Sequence, residues 1–311
     1  MIRVIHSLEE FASIQKPIHL ALGVFDGVHI GHQKVIQTAV DAAEQSGGVA
    51  GVLTFSPNPI QVLAPQKTPK RILASLSHKA RLLENLGCEV MMVQEFSLEF
   101  AACRAKDFIR QIVDACGDLR SISVGEDWQF GKGREGNVTS LKEWGKEFGF
   151  EVFAAEPVMC GGERISSTRI RQAIRDGNLE AIREMLGRPY MVLGDVLRGR
   201  QLARNLGFPT ANVKAHNEQL PPDGVWAVKV LVDGEWKRGV GNLGKRPTVE
   251  NDASAQRLLE VHLFDFDQDL YGTELAVPFF AYVRPEKKFD GIDQLSEQIA
   301  KDVAFAKGLD F

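Results

Sequence analysis

The feature that most limits what this chain can fold into is a change of pattern at residues 187–189, "GRP". Before it, apolar strand-like runs alternate with helical periodicity. "IHLALGVF" (residues 18–25) reads as a buried strand. "KVIQTAVDAAEQSGG" reads as a helix with Val35, Ala39 and Ala42 or Ala43 on one face and glycine at its end. The alternation continues through "GVLTF", "SHKARLLENLG" (Ser77 as N-cap, Gly87 as stop), "EVMMV", "AKDFIRQIVDACG" and "LRSISVG". "SLKEWGKEFG" opens on a Ser140/Glu143 capping box, "EVFAAEPV" is one more strand, and two helices follow around 169–175 and 179–186. Such alternation implies a parallel sheet covered by helices on both faces. We therefore expect a Rossmann-like α/β domain over residues 1–187.

After residue 189 the helical pattern stops. "GVWAVKVLVDGEWKRGVGNLG" is two strands around Asp233-Gly234, a strong hairpin signal. "LLEVHLFDF" and "ELAVPFFAYVR" are further strands, and "GIDQLSEQIAKDVAFAKGL" is a closing amphipathic helix with Asp290 as its cap. Residues 188–311 are thus expected to form a small antiparallel barrel or sandwich with a C-terminal helix. The length of 311 residues suits two such domains.

Bulk properties exclude several classes. A net charge of −4 with interleaved signs disfavours a general nucleic-acid binder. Glu9 and Glu10 interrupt any leader-like apolar run, and no stretch of about 18 apolar residues exists. Cys88, Cys103, Cys116 and Cys160 form no CxxC pair, so reduced thiols in a cytoplasmic protein are expected.

Two motifs carry chemistry. "GVFDGVHIGH" (residues 23–32) sits at a strand-to-helix turn, where parallel sheets bind ligands and a helix start offers free N–H groups. His29 and His32 are three apart and share a face of the first helical turn. They aim ring N–H groups where the amides point, which suits phosphates. A metal site, or histidines that merely cap the helix, are the alternatives. "RISSTRIRQAI" (residues 164–174) opens a second helix with Ser166, Ser167 and Thr168 among Arg164, Arg169 and Arg171, another anion-type start. Two such starts in one domain favour a nucleotide site. Two decoys fail. Residues 239–245 fit GxxxxGK, but Arg246 and Pro247 follow where a P-loop needs Ser/Thr and a helix. "DFDQDLYG" lacks the glycine and glutamate of a calcium loop and reads as a solvated acidic turn.

These motifs resemble those of the bacterial bifunctional riboflavin kinase/FMN adenylyltransferases, within the wider HIGH-motif nucleotidyltransferases. The resemblance continues through "GRQLARNLGFPTANV" with its Pro-Thr-Ala-Asn, "GVGNLGKRPTV", "LLEVHLFDFDQDLYG" and "VRPEKKFDGIDQLSEQIAKD", in family order over essentially the whole chain. Departures are Gly241 where alanine is expected and Asn58 where many members have histidine.

The resemblance implies an adenylyltransferase domain over 1–187 and a β-barrel riboflavin kinase domain over 188–311. In the first, His29 and His32 would bond the triphosphate of ATP, and Arg171, Ser167 and Thr168 the leaving pyrophosphate. Gly23, Phe25, Asp26, Gly31, Asp127 and Arg164 would line nucleotide or flavin. In the second, Thr210 and Asn212 would meet magnesium and phosphate, and Glu260 would be the base for the riboflavin hydroxyl. Glu260 shares a strand face with His262. Riboflavin, FMN, FAD and ATP with magnesium are the implied small molecules, with no nucleic acid or membrane. The competing readings are a single-activity nucleotidyltransferase on another phosphorylated acceptor with a passive barrel, and a nucleic-acid-binding barrel.

Overall fold

The computed structural model describes residues 1–67, 71–198, 207–216, 218–245 and 257–311. By backbone contacts the chain forms two compact units, Met1–Ser167 and Thr168–Phe311.

The first unit opens with β1 (Arg3–Ile5) and β2 (Ile18–Leu22), then α1 (Ile30–Ser46), β3 (Val49–Ser56), the short α2 (Pro59–Leu63) and α3 (Leu76–Asn85). It continues through β4 (Val90–Glu95), α4 (Leu98–Ala101), α5 (Ala105–Cys116), β5 (Leu119–Gly125), α6 (Val138–Phe148) and β6 (Glu151–Ala155). The six strands form one all-parallel sheet in the order β1-β4-β3-β2-β5-β6. Successive residues of β2 serve opposite faces: Leu20 and Leu22 pack with Phe108, Ile109 and Ile112 of α5, whereas Ala21 packs with Ile36, Ala39 and Val40 of α1. The sheet is therefore buried on both faces, which is why its strands read as continuous apolar runs. A small hairpin, β7 (Met159–Cys160) with β8 (Glu163–Arg164), follows.

Helix starts differ from expectation in three places. Ser75, not Ser77, caps α3, its hydroxyl accepting from the His78 N–H at 3.2 Å. Asn137 caps α6 in a reciprocal box with Ser140, so the helix begins one turn before the expected Ser140/Glu143 box and Leu141 can reach the core. The C-terminal helix is preceded by Gly291 rather than capped by Asp290.

The second unit begins with α7 (Ser167–Arg175, from its second residue) and α8 (Leu179–Leu186). Then come β9 (Met191–Leu197), β10 (Ala211–Ala215), β11 (Gly224–Val232), β12 (Glu235–Lys245), β13 (Arg257–Leu263), β14 (Glu274–Arg284) and α9 (Ile292–Gly308). The strands close into an antiparallel barrel, β10-β13-β12-β11-β14-β9, so the barrel rather than the sandwich forms. Asp233 and Gly234, with φ of 49° and 81°, make the expected two-residue hairpin turn. Helix α9 packs its Ala306 with Val225, Ala227 and Val240 of the barrel. Arg284 clamps it through a bidentate ion pair to Asp302, with contacts of 2.8 and 2.7 Å. Parts of two family-like stretches, residues 199–206 and 246–249, lie outside the described residues.

Candidate functional site

In the first unit the site is built on the turn between β2 and α1. Phe25 and Val28 hold φ of 46° and 42°, a conformation that disfavours bulky and β-branched residues. Gly27, at φ 82°, has no room for a side chain, because a Cβ would lie 2.8 Å from Leu73. The strain is held by contacts distant in sequence. The buried Asp26 carboxylate accepts the N–H groups of Leu73 and Ala74 at 2.8 and 3.3 Å. The Asp26 carbonyl accepts from the Ser167 hydroxyl at 2.9 Å. The Val24 carbonyl accepts from both Thr54 Oγ1 (2.9 Å) and Lys79 Nζ (2.8 Å).

His29 is the N-cap of α1, and its Nδ1 accepts from the His32 N–H at 3.2 Å. The capping alternative is thus part of the truth. It also fixes the tautomer: with Nδ1 accepting, the neutral ring carries its proton on Nε2. The two imidazoles stack at 3.5 Å. Burial, then the neighbouring His29, Lys79 and Arg164, push the His32 pKa well below the usual histidine range. His32 is therefore a neutral donor at pH 7, and its Nδ1 is buried with no hydrogen-bond partner among the described residues. A side chain at Gly31 would crowd the His29 ring at 3.2 Å.

Asp127 and Arg164 meet each other. Arg164 Nη2 donates to Asp127 Oδ1 at 2.8 Å, and that guanidinium holds the Asp127 carboxyl below its ordinary range. Ser167 belongs to the same unit, whereas Thr168 and the buried Arg171 group with the second unit. Gly23 directly follows β2, its N–H bonded to the Leu53 carbonyl. Asn58 caps α2 through its side chain, a structural use for that departure from the family pattern.

In the barrel, strand register assembles the other site. Asn212 of β10 lies opposite Glu260 of β13, and Glu260 lies opposite Asn242 of β12. Directly opposed residues share a sheet face, so the three polar side chains form one row. Asn212 is buried and Glu260 half-buried. His262, two residues on, holds the Pro209 carbonyl through Nδ1 at 2.9 Å and so ties down the loop that carries Thr210. Burial lowers the His262 pKa. Thr210 and Pro209 line a cleft of about 160 Å³ with Asp267, Asp269 and Tyr271. The acidic turn expected to be solvated thus borders this cleft.

Sequence reasoning missed Lys79, Asn242 and the anchoring role of His262. Lys79 lies in no motif, Asn242 lies in a family-like stretch that gave it no role, and the partners of both are distant in sequence.

Comparison with known proteins places these units. A family model described as FAD synthetase matches residues 11–169, and one described as riboflavin kinase matches residues 186–309. A bifunctional riboflavin kinase/FMN adenylyltransferase of Escherichia coli K12 is 38% identical over 308 residues, covering 99% of this chain and 96% of that protein. The chain belongs to this family. The Bacillus subtilis protein of the same name is 40% identical over 286 residues, covering 91% of this chain and 89% of its own. A solved structure from Streptococcus pneumoniae, described as a macrolide-efflux protein, matches with a TM-score of 0.84 at 31% identity, covering 99% of this chain and all of that one. No described helix of the present chain is long and apolar enough to cross a membrane.

Proposed function

We propose that the two activities of this family run on the two residue sets described above. The chain phosphorylates riboflavin to FMN with one ATP and adenylylates FMN to FAD with a second. We assign adenylyl transfer to residues 1–187 and kinase activity to residues 188–311. The observation that carries this assignment is that the histidine turn and the Asn212–Glu260 row lie in separate compact units.

In adenylyl transfer, the FMN phosphate attacks the α-phosphorus of ATP and pyrophosphate leaves. The nucleophile is already ionised, so alignment and charge stabilisation dominate. His29 Nε2–H, neutral His32 and the free N–H groups of α1 hold the triphosphate. Ser167, whose hydroxyl donates to the Asp26 carbonyl of the same turn, receives the pyrophosphate. Gly23, Phe25, Asp26 and Gly31 shape the turn, and the Asp127–Arg164 pair borders nucleotide or flavin.

In the kinase step, Glu260 accepts the proton of the ribityl 5′-hydroxyl as that oxygen attacks the γ-phosphorus and ADP leaves. Thr210 and Asn212 offer a hydroxyl and an amide carbonyl, hard oxygen donors that fit magnesium. Magnesium, when bound with ATP, neutralises phosphate charge. His262 keeps the Thr210 loop in place. The four free cysteines accord with a cytoplasmic enzyme.

The test is to incubate the protein with riboflavin, ATP and magnesium and separate the flavins by chromatography. FMN followed by FAD is expected. No FMN from riboflavin, and no FAD from supplied FMN, would favour the single-activity reading, a nucleotidyltransferase on another phosphorylated acceptor with a passive barrel.

A further inference from the structure

Lys79 lies in α3 and is 4% exposed, although nothing in "SHKARLL" marks it for burial. Its ammonium donates to the Val24 carbonyl at 2.8 Å and to Thr54 Oγ1 at 3.0 Å, while Thr54 itself donates to the same carbonyl at 2.9 Å. Val24 is the last residue before the strained Phe25. Two donors on one carbonyl fix the orientation of the peptide from which the positive-φ turn departs. That turn ends in His29, the cap of α1.

Burying an ammonium is expensive even where it is hydrogen-bonded, and methionine of similar length would fill the same space without that desolvation penalty. The position therefore carries a stability cost that packing alone does not explain. We propose that Lys79 is a positioning residue for adenylyl transfer, its ammonium setting the Val24 carbonyl and hence the placement of His29 and His32. The proposal rests on the reading of this turn as the triphosphate site.

The titratable and charged groups that bear on Lys79 and its neighbourhood are Asp26, which favours its charged form, and His32, His29 and Arg164 on the phosphate side. Burial lowers the Lys79 pKa to about 8. The signs of two pH effects then oppose each other. A lysine whose folded pKa is depressed binds fewer protons folded than unfolded. Its contribution to stability thus rises with pH from about 8 toward the ordinary lysine value of 10.5. A positioning ammonium instead predicts that activity falls over the same range.

The experiment uses the full chain, with adenylylation of supplied FMN and phosphorylation of riboflavin measured in parallel. Lys79→Met is expected to keep kinase turnover and melting temperature while kcat for adenylylation falls about tenfold or more, with a smaller change in KM for ATP. In the unsubstituted chain, kcat/KM for ATP in adenylylation should decline above pH of about 8 and the kinase reaction should not share that decline. A folded Lys79→Met within twofold of normal adenylylation overturns the proposal. Should that variant fail to fold, a flat profile of the unsubstituted chain to about pH 9.5 overturns it instead. His29→Ala separates the two levels: if it too leaves adenylylation intact, the site reading fails, and if it alone abolishes adenylylation, only the role of Lys79 fails.

Discussion

Replacing Asp26 with alanine removes the acceptor that two buried N–H groups share. The carboxylate is 4% exposed and takes the Leu73 N–H at 2.8 Å and the Ala74 N–H at 3.3 Å. Each buried donor left unpaired costs about 1–3 kcal/mol, so the variant should lose about 2–6 kcal/mol. In a unit of this size 1 kcal/mol moves the melting temperature by about 2–4 °C. The midpoint of the range, about 4 kcal/mol, corresponds to a drop of about 8–16 °C. Asp26→Asn keeps an acceptor oxygen and loses only the charge, so it should lose about 2 kcal/mol, half that midpoint. It also removes the carboxylate that supports the charged form of Lys79, and so lowers that pKa further. Differential scanning calorimetry of the full chain reads the shift, and riboflavin phosphorylation reports on the second unit. An Asp26→Ala shift below about 2 °C, with FAD formation intact, would refute the argument that this carboxylate holds the strained turn.

Further outcomes follow from the same geometry. His29→Ala should cut FAD formation at least about a hundredfold and spare FMN formation, because one donor at the phosphate site and the cap of α1 are both lost; near-normal adenylylation of FMN would remove this histidine from the site. Glu260→Gln keeps shape and hydrogen bonding but not the base, and should slow riboflavin phosphorylation by about 10²–10⁴ with FMN adenylylation unchanged; a loss of only a few-fold in a stable variant leaves the kinase base elsewhere. A fragment of residues 168–311 should melt higher than one of residues 188–311. The shorter fragment discards α7 and α8, whose Ile174, Ile182 and Met185 are buried, and uncovers Trp226 where Gly177 now lies against it. Equal melting temperatures would show that these helices add nothing to the barrel.

What could be read from the sequence is what depends on neighbours along the chain. Alternation of apolar runs with helical periodicity was enough for the parallel sheet, because strands buried on both faces need continuous apolar residues and their crossovers need amphipathic helices. Asp233-Gly234 announced its hairpin, since few residues accept positive φ at both turn positions. The place of the histidine turn, between a buried strand and a helix, was legible because an apolar run, a glycine-rich turn and a helical period follow one another along the chain. Helix caps were off by one to three residues for a physical reason. Several hydroxyls and amides near each start could accept the free N–H groups, and burial of Leu83 or Leu141 decides which turn comes first.

Tertiary structure alone decided the rest. Asp26 meets its amide donors 47 residues away, and Lys79 meets the Val24 carbonyl across 55. In the sequence one is a motif acid and the other an ordinary helix lysine; only packing turned them into the supports of the turn. The row Asn212–Glu260–Asn242 likewise exists through the register of three strands, and a slip of one residue would point each of these side chains to the opposite face. Local spacing specifies elements and their faces. Which polar groups are buried together, and so which can hold a strained turn or orient a base, is set where the desolvation of each must be met by a partner from elsewhere in the chain.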